Sequence, residues 1–150
     1  MEQSQVELVG RKLLEDRGTY FRGTARIRFE NLQFGELCPR ELNQKFTDSL
    51  KSKFITEGCL RLDAQNRIPA VISQQMLSQA IDDSPGVTVD LLLENSKDQP
   101  PELLIPSNVA IECLQGLHRV AAAKEILPCE DWWWTIDLYL EGMYSYVNLL

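Results

Sequence analysis

Histidine is almost absent from this 150-residue chain: His118 is the only one. Basic residues nearly vanish from the second half, because 12 of the 15 lysines and arginines lie within residues 1–67. No apolar run approaches the roughly 18 residues that a membrane span requires. The opening stretch, MEQSQVELVG, has no apolar signal core behind a basic start. These absences lead us to expect an intracellular protein, nuclear or cytoplasmic, with no membrane partner. The four cysteines, at 38, 59, 113 and 129, form no CxxC pair. A single imidazole cannot complete a Cys/His zinc pattern, so small buried thiols are expected and no metal site. The formal net charge of -7 argues against non-specific nucleic-acid binding, although a local basic face in the first half stays open.

What is present is the composition of a globular domain, with 44% hydrophobic and 25% charged residues. The length suits one domain over 1–150. The chain breaks off soon after an aromatic strand, with an apolar tail at Tyr146, Val147, Leu149 and Leu150. We therefore expect the amino-terminal part of a longer protein.

Periodicity predicts the elements. VELVGRKLLEDRG (6–18) reads as a short amphipathic helix ended by Gly18. In TYFRGTARIRFENL, Ala25, Ile27 and Phe29 fall on one strand face and Thr24, Arg26 and Arg28 on the other. Residues 39–58 form the strongest helix pattern. Leu42, Phe46, Leu50 and Phe54 recur at i+4, with Pro39 in the first turn and Gly58 at the end. RIPAVIS (67–73) reads as a strand that starts late or lies on an edge, because Pro69 has no amide hydrogen. Ser73 is placed to cap a helix over 73–81 with Met76, Leu77, Ala80 and Ile81 inward. SPG breaks the chain, and VTVDLLL (87–93) fits strand or helix. NSKDQPPE reads as a loop, and LLIP (103–106) and VAIECL (109–114) as strands. In WWWTIDLYLEG, Trp132, Trp134, Ile136, Leu138 and Leu140 share one face.

The stretch ECLQGLHRVAAAKEIL (112–127) carries the most chemistry. A strand ending at Leu114, then Gln115-Gly116, then a helix from about Leu117 places His118 and Arg119 in a helical first turn. Unpaired amide hydrogens and the helix dipole attract anions there. Gly116 removes a Cβ where a phosphate would approach, Arg119 offers a bidentate fork, and His118 offers one more donor. The bland alternative is a buried, hydrogen-bonded His118 with Arg119 paired to Glu112 or Glu125. Other groups are less pointed. Glu57, Asp63 and Glu112 have no metal spacing, and Lys51 and Lys53 lie on the 39–58 helix. Arg22, Arg26 and Arg28 make a basic stripe that would suit nucleic acid, and Trp133 is a candidate stacking platform.

GLHRVAAA with its preceding strand resembles the phosphate motif of the ParB/sulfiredoxin superfamily. That motif reads Gly-Glu-Arg-Arg then alanines in ParB, and Gly-Cys-His-Arg in sulfiredoxin. FTDSLKSKFITEGCLRLDAQNRIPAVIS resembles the segment before it in both. The wider spacing here implies an insertion over about 74–102. GTARIRFENL, EGCLRLD, IPAVIS, CLQGLHRVAAAKEIL and WWWTIDLYL together resemble an uncharacterised fungal family often carried on giant transposons. The resemblance implies an α/β fold (mixed α+β), a small mixed sheet with helices. It implies nucleotide phosphates at Gly116, His118 and Arg119, with ATP or CTP and magnesium as the ligand class, and a DNA-associated switch as a role. Whether the nucleotide is hydrolysed stays open. Leu117 stands where sulfiredoxin has its reactive cysteine, so sulfinic-acid reduction is not expected. The alternatives are a nucleic-acid-binding or nuclease module on the Arg22, Arg26 and Arg28 face, or a structural domain that has lost its ligand.

Overall fold

Alternation of small and branched side chains makes the first strand. In β1 (Phe21–Arg28), Ala25 and Ile27 are fully buried, and Phe29 follows them inward. The computed structural model describes residues 20–35, 41–94 and 99–141. The helix expected at 6–18, Pro39, Cys38 and the tail after Glu141 lie outside those residues.

Four more strands join β1: β2 (Leu32–Gln33), β3 (Ile68–Ile72), β4 (Ile111–Cys113) and β5 (Trp133–Leu140). Their order in one sheet is β1-β5-β3-β4-β2. The β1–β5 and β3–β4 pairs are antiparallel, and β3–β5 and β2–β4 are parallel. Four helices accompany the sheet among the described residues: α1 (Gln44–Glu57), α2 (Gln74–Asp83), α3 (Val89–Leu93) and α4 (Leu117–Ile126). The fold is therefore mixed α/β, the class that the resemblance implied. Ala25, Ile27, Ile68, Ala70, Cys113, Trp134, Ile136 and Leu138 form the centre of the core, each at 0% exposure. Periods of two in β1, β3, β4 and β5 put all eight on one sheet face.

Several local expectations change once the elements meet. β3 is neither late nor at an edge; it lies between β5 and β4 and contains Pro69. Pro69 sits where the β4 ladder ends; its carbonyl accepts from Leu114 N at 2.8 Å, and its missing hydrogen costs only the reciprocal bond of that terminal pair. VTVDLLL becomes helix α3, because Thr88 caps it by accepting from Leu91 N. Its Leu92 packs over Gly23, where β1 bulges at φ +120° and a Cβ would strike the Leu92 carbonyl. LLIP forms no strand. Instead Arg26 exchanges single backbone bonds with Pro101 O (2.9 Å) and Leu103 N (3.1 Å).

Helix α1 starts later than the 39–58 pattern suggested, with Asn43 as its cap accepting from Phe46 N. Half of the i+4 stripe is outward: Leu42 and Phe46 are 52% and 50% exposed, and Leu50 and Phe54 are half-buried. The contact face is turned to fully buried Thr47 and to Phe54, which packs on Trp134 at 6.0 Å. Helix α1 lies against α4 (Leu117–Ile126), where the Phe46 ring meets His118 and Lys51 pairs with Glu125.

The thiols do not share one environment. Cys113 is buried, Cys59 half-buried and Cys129 exposed, so the uniform expectation of buried thiols fails at Cys129. Burial pushes the Cys59 thiol above its ordinary range, although nearby Arg61 pulls the other way. A higher pKa leaves less thiolate near neutral pH. We expect Cys129 to react promptly with an aromatic disulfide reagent in the native protein, Cys59 slowly, and Cys113 only on unfolding. Loss of a fast phase in Cys129→Ser checks the assignment.

Candidate functional site

The GLHR stretch forms the turn and first helical residues that its spacing implied. Gly116 has φ +101° and ψ 7°, the left-handed region, and serves as N-cap of α4. Ile68 of β3 lies against it: a Cβ at Gly116 would stand 2.5 Å from Ile68 Cδ1. The glycine is thus required by the turn and by the strand beneath it.

Gly116 carries no side chain, so no side-chain hydrogen bond caps α4. The other three helices are capped by Asn43, Ser73 and Thr88. The amides of Leu117, His118 and Arg119 lie in the first turn, where a helix supplies no carbonyl partner. Val120 N is the first to bond back, to Gly116 O at 3.0 Å.

His118 and Arg119 turn to different neighbours. His118 is 8% exposed, and its Nε2 accepts from Asn43 N at 3.0 Å. The proton of the neutral ring then belongs on Nδ1. The Phe46 ring meets the imidazole edge-on at 4.8 Å. His118 therefore joins the start of α1 to the start of α4. Its Nε2 serves as an acceptor inside the protein, which leaves Nδ1 as the ring's donor.

Arg119 is half-buried, and its Nη1 has one long contact, 3.4 Å to Asn66 O. It pairs with neither Glu112 nor Glu125, nor with any other carboxylate among the described residues. Glu125 is taken by Lys51 at 3.7 Å, a bridge from α1 to α4, while Lys53 is exposed. Desolvation lowers the Arg119 pKa from its usual value, and no neighbouring anion offsets the shift. Asn66 O also accepts from Trp134 Nε1 at 2.8 Å, so the core tryptophan fixes the carbonyl beside Arg119.

The basic stripe does not present three uncommitted guanidinium groups. Arg26 Nε donates to Pro100 O at 2.8 Å, and Arg28 donates to Glu130 O and Cys129 O at 2.9 and 2.7 Å. Arg28 also lies 3.6 Å from Glu30. Arg22 donates to Phe21 O and sits across the β1 bulge from the other two. The face of Trp133 is covered by Arg61, whose Cζ is 3.6 Å from the ring centroid. Arg61 Nη1 also donates to Asp131 O at 2.6 Å. Sequence reading missed Arg61 because nothing local marks a partner some seventy residues away. Among the described residues, no group of three or more His, Cys, Asp or Glu side chains could hold a metal ion.

A family model described as "Protein of unknown function (DUF3723) N-terminal domain" matches residues 20–148. The chain belongs to the DUF3723 family. No curated protein and no solved structure matches it. The DUF3723 domain match begins at the residue before β1 and ends beyond β5, so the sheet, α4 and the GLHR turn all fall inside it. Among its described residues, no helix is long and apolar enough to cross a membrane.

Proposed function

We propose that the start of α4 in this DUF3723 domain binds the phosphates of a nucleotide, with Arg119 supplying the positive charge. The observation that carries the reading is Arg119 itself: a half-buried guanidinium with no anionic partner among the described residues. Removing a cation from water without a counter-charge is costly, and a bound phosphate offsets that cost. The uncapped first turn adds amide donors on the same side of the fold. In this reading Gly116 shapes the turn, and His118 is a positioning residue that holds α1 against α4 through Asn43. ATP or CTP with magnesium is the ligand class to screen first, on the strength of the ParB/sulfiredoxin-like motif. A DNA-associated role follows from that motif, and carriage on giant fungal transposons from the separate resemblance of GTARIRFENL, EGCLRLD, IPAVIS, CLQGLHRVAAAKEIL and WWWTIDLYL.

A thermal-shift screen of nucleoside triphosphates, with and without magnesium, tests the reading. One triphosphate is expected to raise the melting temperature of the wild type. Arg119→Ala is expected to weaken its binding about tenfold to a hundredfold, matching a charge-assisted contact of about 1.5–3 kcal/mol. The unliganded variant should melt close to the wild type, because Arg119 contributes one long hydrogen bond. Unchanged affinity in Arg119→Ala, or no response of the wild type to any triphosphate, would sink the proposal.

A further inference from the structure

Side chains alternate along β5, so Trp133 points away from the core that Trp134 shares with Val120 and Ala123 of α4. The half-buried Trp133 ring carries two guanidinium groups from separate parts of the chain. Arg61 Cζ lies 3.6 Å from the ring centroid and Arg26 Cζ lies 5.5 Å from it. Each is anchored by one part of its fork. Arg26 Nε donates to Pro100 O at 2.8 Å, and Arg61 Nη1 donates to Asp131 O at 2.6 Å and Trp133 O at 3.3 Å. The remaining donors are both Nη groups of Arg26, and Nε and Nη2 of Arg61. They meet no acceptor among the described residues, and none of them is closed to solvent.

Two cations held over one ring repel each other, and the indole face offsets only part of that. No carboxylate completes the balance. Neither arginine forms an ion pair among the described residues, where Glu30 is taken by Arg28, Glu125 by Lys51 and Asp137 by Arg67. Glu102 is joined to Arg26 by a backbone bridge, and its exposed carboxylate makes no ion pair with it. Burial lowers the Arg61 pKa and the Arg26 charge lowers it further, while Cys59 and Asp131 oppose the shift. An anion that reaches both forks at once relieves this repulsion, and planar guanidinium groups match phosphate oxygens in pairs. We propose that Arg26 and Arg61 together bind a dianionic phosphate group at the rim of Trp133. A doubly charged group neutralises two cations, which one carboxylate does not. Arg61 covers the indole face, so base stacking is no part of this site. Nor does a row of open forks run along β1 to follow a nucleic-acid backbone. Arg28 is taken by Glu130 O, Cys129 O and Glu30, and Arg22 lies across the β1 bulge.

Phenyl phosphate and inorganic phosphate are the probes, and dimethyl phosphate is their singly charged diester counterpart. Each is titrated into the full ¹⁵N-labelled chain while the Trp133 indole and the Arg26 and Arg61 Nε–H signals are followed. Phenyl phosphate is expected to give saturable shifts at all three, and dimethyl phosphate to bind at least about tenfold more weakly. Inorganic phosphate binding as tightly as phenyl phosphate marks a free anion as the source, and weaker binding marks an esterified one; both results support the site. Arg26→Gln and Arg61→Gln should each weaken phenyl phosphate by about tenfold or more. Lys53→Gln, at an exposed residue of α1, should change it by less than about threefold. No saturable shift in the wild type, equal binding of the diester, or unchanged binding in either arginine variant would overturn the proposal. So would tighter binding of a short oligothymidylate without terminal phosphates, which would make this surface a nucleic-acid contact. The monoester–diester comparison needs no variant, so it stands even if Arg61→Gln misfolds. Arg119→Ala should leave these shifts intact, so failure here and failure at Arg119 are separately visible.

Discussion

Gly116→Ala is expected to destabilise the protein by about 2–4 kcal/mol, even though it adds one methyl group. Two costs combine. The backbone at φ +101° lies in a region that L side chains rarely adopt. The new Cβ would also stand 2.5 Å from Ile68 Cδ1 and 2.7 Å from Cγ1. Ile68 is a fully buried central-strand residue and has little room to retreat. Urea unfolding checks this: the midpoint should fall with an unchanged slope. Loss of nucleotide binding in such a variant would not by itself report on phosphate approach, because the turn would already be strained. Shortening Ile68 to valine alongside Gly116→Ala should recover part of the loss, whereas strain from the backbone alone would leave the double variant no better.

Trp134→Ala should be larger still, about 3–5 kcal/mol, and should unfold a marginal domain at ambient temperature. Trp134 is fully buried on β5, touches Phe54 of α1, and donates through Nε1 to Asn66 O. One side chain therefore ties the sheet to α1 and to the 3₁₀ turn Ala64–Asn66. Trp134→Phe separates the two contributions: most of the packing stays, and the hydrogen bond is lost, for about 1 kcal/mol beyond the volume change. Because Asn66 O also faces Arg119, Trp134→Phe should loosen the candidate phosphate site more than a distant core change such as Leu77→Ala. Denaturant midpoints and nucleotide affinities of the folded variants measure both.

Much of the architecture was legible before any coordinates. The period of two in ARIRF and WTIDLYL defined β1 and β5, because a buried sheet face accepts apolar side chains only at alternate positions. Ser73 marked the start of α2, because a hydroxyl that accepts from the third following amide is a local device that needs no distant partner. Gly116 marked the turn before α4 for the same local reason. Other features depended on where elements landed. Pro69 argued for an edge, yet β3 is central, because the cost of a missing amide hydrogen depends on which neighbour stops where. The Leu42–Phe46–Leu50–Phe54 stripe argued for burial, yet Leu42 and Phe46 stay exposed, since a helix offers several faces and its packing partners choose one. His118 and Arg119 are adjacent in the chain and stand about 100° apart around a helix. Sequence left His118 open between a phosphate donor and a buried, hydrogen-bonded ring; the fold joins it to Asn43 and leaves Arg119 beside Asn66 without a counter-ion among the described residues. The residue types, their periods and their caps are local chemistry, so the sequence alone determined β1, β5, the start of α2 and the GLHR turn. Which carboxylate reaches which arginine, which tryptophan face is covered by Arg61, and which Glu112 oxygen is left without a donor are relations across the chain. Only the tertiary structure decided them, because desolvation and pairing depend on distances in space that spacing in sequence does not encode.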